Sequence, residues 1–571
     1  MTPYQKHFNY AQNHFNPKKL KHYIENIYAS DHYPDFKGFH KTAHWVADEL
    51  AKYNIKTRVI EFPADGKTTY GDWIMPKAWD AISAKLIEPK TNETVADYSK
   101  IPANLVMGSS STPKGGITKE LIYASSPEEF SKINVKDKLV LTKFMPNAYK
   151  KSLIERGGCG FIFHGTLRHD QYESVRWVNS WSDEPDQWQF TEKDTPCPGI
   201  SLSPKQVDQF IKRFEEGEKI ILNLEINTKT YDGTLPVVEA FIQGQTDQEI
   251  FMTGHLYEQG ANDNCSGCAS MMEIARMFSK NKPKRGIRIL FTSEIYGTIP
   301  YCYENLETLQ NCIAGINIDS TAEVSYGSNK MQLYQNPLTN PSFVNILFDE
   351  ITFASGEAKI FTQKNFVLDD NLVTDPQINI PCLFVGGCSQ TWHTHIDTMD
   401  IIDWELFNLT TICCAAWVSF AVNGEEKEAL ALNKSLDFYL SNWNDSTHQN
   451  KNPKCQPFID DFTNEVKHNY QASINNLHPI HESSYKKPSE NGPTRKYFGV
   501  PSFSQIPIEK RKENNIGMWS GNCYLPLFLA DGTRSIDRIA AYMELGFDYD
   551  YDTTHTYLNK LYEFNYLESP I

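Results

Sequence analysis

The stretch GHLYEQGANDNCSG, residues 254–267, sets a histidine at the end of a short strand-like run and an aspartate just before a helical one. QEIFMTGH is apolar and β-prone, whereas SGCASMMEIARMFSK carries its apolar residues at helical spacing. His255 and Asp263 therefore fall on a strand-to-helix loop, where open α/β sheets place their ligands. Three later segments repeat the delivery: RGIRILFTSE ends on Glu294, CIAGINIDS presents Asp319, and INIPCLFVGGCSQTWHTHIDT leads to His393. Strand ends of one kind share an edge in a parallel sheet, so residues this far apart in sequence can converge. Imidazoles mixed with carboxylates suit zinc, either as one ion or as a pair sharing a bridging carboxylate.

The order and wording of these segments resemble the co-catalytic zinc exopeptidases of the aminopeptidase Y and glutamate carboxypeptidase type. By that resemblance GANDNCSG supplies Asp263 as the bridge, GINIDS supplies Asp319 beside His255 for the first metal, and HTHIDT supplies His393, with Asp397 and Thr398 in matching positions. DDNLVTDPQINIPCLF also resembles the segment before the last core strand in a bacterial aminopeptidase-like subgroup. Two positions depart from the pattern. Tyr257 stands where the family writes an aspartate that supports the metal-bound histidine, so His255 needs another partner. In SEIYGT, aligning Glu294 and Gly297 with the family makes Glu294 the general base and puts Ile295 where the second metal's carboxylate belongs. The expectation is one tightly bound zinc with His255, Asp263 and Asp319, and a second, weaker ion at Asp263 and His393. Two tight ions would need a further ligand, with Glu258, His395 or Glu294 itself as candidates.

A chain of 571 residues exceeds one ordinary core. The fold class expected is α/β: a zinc-exopeptidase-like three-layer sandwich, with a mainly β protease-associated insertion and a C-terminal α-rich, winged-helix-like domain. Residues 1–84 read as the N-terminal part of the peptidase-like domain, with an amphipathic helix over 37–55 and a strand in KTRVIEFPAD. His40 and His44 lie one turn apart there but lack the glutamate of an HExxH pair. Residues 85–226 change to short strands with Gly, Ser and Pro punctuation and read as the insertion. Within it, RWVNSWSDEPDQWQF is either a loop whose aromatics pack on the insertion or a wall of the substrate cleft. Residues 227–425 carry the metal motifs, and 426–571 form the C-terminal extension, ending in a helix–turn–helix–strand pattern.

A formal charge of −16 opposes binding to nucleic acid or to an anionic membrane, and the tail's acidic balance favours packing or dimerisation over DNA. A homo-oligomer is compatible with that balance. The N-terminus lacks a signal-peptide core, and the apolar run ICCAAWVSFAV is too short to span a bilayer, so the chain reads as cytoplasmic. Twelve scattered cysteines fit reduced, buried thiols, and Cys265 and Cys268 read as helix-packing residues.

These readings combine into a zinc-dependent aminopeptidase acting on small peptides or peptide-like amides. The alternatives are a single-zinc acyltransferase of the glutaminyl-cyclase kind and a non-catalytic scaffold of the same fold. Plain structural roles also stay open: Asp263 as a helix cap, Asp319 as a strand end, His393 packing on Trp392, Glu294 as a buried carboxylate.

Overall fold

Two strands, Glu249–Leu256 and Gly286–Ser293, are buried at every position, and Cys312–Asp319 at all but one. Successive side chains of a strand point to opposite faces, so these strands must be covered on both sides. A computed structural model describes residues 1–165, 171–184, 186–356, 361–364, 369–447, 451–482, 485–487, 489–518 and 524–568. In it the three strands sit inside an eight-stranded sheet ordered Lys56–Ala64, Gly233–Ile242, Gly286–Ser293, Glu249–Leu256, Cys312–Asp319, Cys382–Gly386, Met331–Tyr334, Phe361–Lys364. The pairs joining Gly286–Ser293, Glu249–Leu256, Cys312–Asp319 and Cys382–Gly386 are parallel. Helices Phe36–Ala51, Cys265–Phe278 and Trp404–Asn423 pack on this sheet, giving the three-layer α/β arrangement.

Trp404–Asn423 is long and apolar enough to cross a membrane by length and composition, which corrects the reading that its apolar run is too short. Its apolar residues lie inside the fold, against Pro3–His14, Val344–Ser355 and Cys265–Phe278, and core packing accounts for its composition.

A second, seven-stranded sheet takes residues from Ala78 to Tyr231, with parallel strands Ile117–Ala124, Lys138–Thr142, Gly160–His164 and Gly199–Leu202. The breaks expected at 84/85 and 226/227 thus fall inside its strands Ala78–Glu88 and Ile221–Tyr231.

The C-terminal part is α-rich. Helices Ile536–Phe547 and Tyr551–Glu563 form a helix–turn–helix, and Leu567–Glu568 pairs with Thr494–Arg495 as a short ribbon. Its arginines face carboxylates: Arg495 meets Asp375, Arg511 meets Asp186, Arg534 meets Glu465, and Arg538 meets Glu490. Arg285, 1% exposed, ties this part to the main sheet. Its guanidinium donates to the carbonyls of Ala421, Gly424, Asn476 and Leu477 at 2.7–3.3 Å. Truncation would leave these buried carbonyls without donors. Arg285→Ala is expected to destabilise the protein by about 3 kcal/mol in chemical denaturation, whereas a loss below about 1 kcal/mol would mean that water replaces the guanidinium.

Candidate metal centre

Sheet register brings the expected residues together. His255 lies opposite Thr292, two residues before Glu294, and Asp319 lies opposite Gly386, on the strand that runs on towards His393. His255, Glu294 and Asp319 therefore leave three adjacent parallel strands at one edge. Asp263 arrives from the loop behind them. Its neighbour Asn264, not Asp263, caps helix Cys265–Phe278 by accepting from the Gly267 N–H at 3.0 Å, which leaves the Asp263 carboxylate for other work.

That loop is stitched in place from two directions. Asp397 accepts from the backbone N–H groups of Asn262 and Asp263 at 2.7 and 3.1 Å, and the Asn264 side chain donates to the Ile318 carbonyl at 3.2 Å. Glycines permit the approach: a Cβ on Gly260 would sit 2.2 Å from an Asp397 oxygen, and one on Gly267 would sit 2.0 Å from the Ile318 carbonyl oxygen. Asp397 thus frames the loop, while Thr398 caps the short helical turn Met399–Ile401.

The two oxygens of Asp263 face different imidazoles. Oδ1 is 3.4 Å from His255 Nε2, and Oδ2 is 3.5 Å from His393 Nε2. Tetrahedral zinc with bonds of about 2.0–2.2 Å holds its ligand atoms about 3.3–3.6 Å apart, so both separations match edges of such a site. His255, Asp263 and Asp319 each offer a ligand atom within 4.8 Å of the others, and so do Glu258, Asp263 and His393. Asp263 Oδ2 is buried without a hydrogen-bond partner. The donor set and this orphaned oxygen fit a zinc-class cation.

At both positions where the motif departs, carboxylates from elsewhere in the chain come close to His255. The Tyr257 ring lies in the core against Phe36 and Phe39, at centroid distances of 5.2 and 4.8 Å. Support for His255 comes instead from Asp370, whose Oδ2 is 3.6 Å from His255 Nδ1. The Ile295 side chain is fully buried in the hydrophobic core and does not line the cavity. Glu258, a sequence candidate only for a further ligand, has its Oε2 3.6 Å from His255 Nε2. His395 is no ligand here: its Nδ1 accepts from the Val175 N–H at 2.9 Å.

Four residues at this edge have left-handed backbones, Tyr257 (φ 74), Ile295 (58), Ser320 (56) and His393 (57). Such conformations cost non-glycine residues roughly 1–3 kcal/mol each and gather at functional sites. Each is gripped by a hydrogen bond. The N–H groups of Tyr257, Ile295 and Ser320 donate to Asp31, Asp370 and Asn264 at 3.0, 2.9 and 3.3 Å, and the His393 carbonyl accepts from the Trp177 N–H at 3.1 Å.

Burial drives the electrostatics. It pushes the carboxyls of Glu258, Glu294 and Asp319 well above the usual carboxylate range, helped by neighbouring acids, and raises Asp369 to about 6. Against burial, the hydrogen bond from His255 and the charges of both imidazoles hold Asp263 below its ordinary value. Burial also keeps the thiols of Cys265 and Cys268 neutral, and Cys268 donates to the His255 carbonyl, as helix packing predicts.

A cavity of about 340 Å³ opens over these residues. Tyr334, Phe384 and Trp392 line it from the main domain, and Arg176, Asn179, Ser180 and Trp188 from the insertion. The tryptophan-rich loop therefore takes both roles open to it. Trp177 and Trp181 are core residues, Trp177 also stacks on His393 at 4.0 Å, and Asn179 and Ser180 between them form cavity wall.

Over 269 residues the chain is 23% identical to a Clostridium acetobutylicum protein provisionally named for polysaccharide biosynthesis with an aminopeptidase-like domain, covering 45% of this chain and 53% of that protein. Carboxypeptidase Q of Mus musculus is 25% identical over 232 residues, 38% of this chain and 47% of its own length. The chain thus spans about half the length of these curated relatives. Among solved structures, a protein of Clostridium acetobutylicum provisionally named a peptidase aligns over 98% of this chain and 97% of its own, with TM-score 0.54 and 14% identity. The zinc aminopeptidase BSAP of Bacillus subtilis aligns over 72% of this chain and 96% of its own, with TM-score 0.52 and 17% identity. At these identities the likeness is one of fold. One family model matches residues 23–421, across the insertion and every residue of the candidate centre, and the chain belongs to that family, described as a domain of unknown function (DUF4910).

Proposed function

We propose that the chain is a zinc-dependent exopeptidase, an aminopeptidase acting on small peptides or peptide-like amides. The observation that carries this reading is the Asp263 carboxylate, with one oxygen on each imidazole and Glu294 on the same cavity. The fold shared with a zinc aminopeptidase supports it. Zinc bound there would supply Lewis acidity, polarising the scissile carbonyl and lowering the pKa of an attacking water.

The chain's own residues account for the remaining steps. Glu294, at the end of its strand and on the cavity, takes the water's proton as the water oxygen bonds to the scissile carbonyl carbon, and passes it to the leaving amine as the C–N bond breaks. Asp370 holds the His255 ring from behind, and Trp177 holds the ring of His393. A volume of about 340 Å³ suits a small ligand, in keeping with short peptides. Every cysteine among the described residues is a free thiol, which supports a cytoplasmic setting.

Glu294→Gln keeps the shape of the side chain but cannot accept the proton. In a digest of an unbiased peptide library, turnover is expected to fall by about 10² to 10⁴ with zinc still bound. Loss of zinc together with activity would make Glu294 a ligand, and unchanged turnover would remove it from the reaction.

Burial raises the pKa of Glu258, Glu294 and Asp319 well above the usual carboxylate range in the metal-free protein. Ligand carboxyls must lose their protons to bind a cation, so zinc uptake should release protons and zinc affinity should rise with pH up to the raised pKa values. Calorimetry of zinc binding in buffers of different ionisation enthalpy measures this. Uptake near neutral pH without proton release would contradict the electrostatic account.

A further inference from the structure

We propose that Glu258 completes a second divalent-cation site with Asp263 and His393, taking the place left by Ile295. The inference rests on the metal centre proposed above and adds a ligand that the motif does not provide. Three observations converge on it. Glu258, Asp263 and His393 each offer a ligand atom within 4.8 Å of the others. Asp263 Oδ2 faces His393 Nε2 at 3.5 Å and is buried without a hydrogen-bond partner, so this oxygen is turned towards His393 and away from the His255 contact made by Oδ1. Glu258 itself is 8% exposed and lines the cavity, whereas Ile295 is wholly in the core.

The geometry explains why the carboxylate comes from this position. Ile295 takes a left-handed backbone, with its N–H held by Asp370 and its side chain packed away, so no substitution there reaches the cavity without undoing that arrangement. Three residues beyond His255 the chain has turned through the left-handed Tyr257, and Glu258 stands beside the same ring. One imidazole and two carboxylates form a three-ligand set of the kind zinc takes when a fourth position is left for water or substrate. Charge points the same way. Glu258, Asp263, Asp319, Glu294 and Asp369 share the cavity with two imidazoles and the Arg176 guanidinium, an excess of acidic groups that two dications offset better than one.

Zinc titration of the chelator-stripped, full-length protein, with bound metal counted by mass spectrometry after gel filtration, tests this. Unmodified protein is expected to hold two zinc ions per chain, and Glu258→Gln to hold one, the other weakened by more than about 100-fold. His393→Ala should lose the same ion and serves as the second variant if Glu258→Gln does not fold. Ile295→Glu should not raise the count. One ion in the unmodified protein overturns the proposal while leaving the His255–Asp319 site standing. No bound ion overturns the metal centre as well. Two ions retained in both Glu258→Gln and His393→Ala overturn the assignment of these ligands.

Discussion

A buried carboxylate gripped between two imidazoles is the constraint around which this molecule is arranged. Asp263 is 2% exposed, yet one of its oxygens has no hydrogen-bond partner, and further buried acids surround it. Placing so many carboxyls away from water is costly unless a cation or a proton neutralises them. Burial, helped by the neighbouring acids, pushes the carboxyls of Glu258, Glu294 and Asp319 upward together. The backbone around the centre is correspondingly over-determined: four left-handed residues, two glycine approaches and the Asp397 clamp all serve to hold that cluster closed.

The sheet supplies the remaining order. Three parallel strands end at one edge, and the fourth leads into a loop held by the insertion through Trp177 and the Arg176–Thr394 bridge. The second sheet is thus joined mechanically to the metal centre. A shift of the insertion would move the ring of His393 as well as the cavity wall. The shape of the cavity and the placement of His393 are coupled through one loop, which makes the tryptophan-rich segment as much a part of the candidate site as the motifs that first reveal it.

Much of this was legible in the residues alone. Strand runs ending on His255, Glu294 and Asp319 show as apolar β-prone segments, and their convergence follows from parallel pairing. The compensations were harder to read, because each comes from a place that local spacing does not connect to its partner. Asp370 lies 115 residues from His255, 370 − 255, and only the fold sets the two side by side. The adjacent acids of DDNLV were visible, but nothing local distinguishes a carboxylate behind an imidazole from an ordinary cap. Glu258 is close in sequence to His255, yet its use depends on the turn at Tyr257, whose left-handed backbone no propensity would assign to a tyrosine. The insertion's limits were blurred for a different reason: its first and last strands, Ala78–Glu88 and Ile221–Tyr231, pair with each other in the second sheet, a long-range pairing that local composition does not show.

Diffraction from crystals of the zinc-loaded protein, recorded on either side of the zinc absorption edge, tests the central claim most directly. The account predicts anomalous density within bonding distance of Asp263, with a peak between its Oδ1, His255 and Asp319. Zinc-loaded crystals showing no anomalous density at Asp263, or density only at sites elsewhere on the chain, would contradict it.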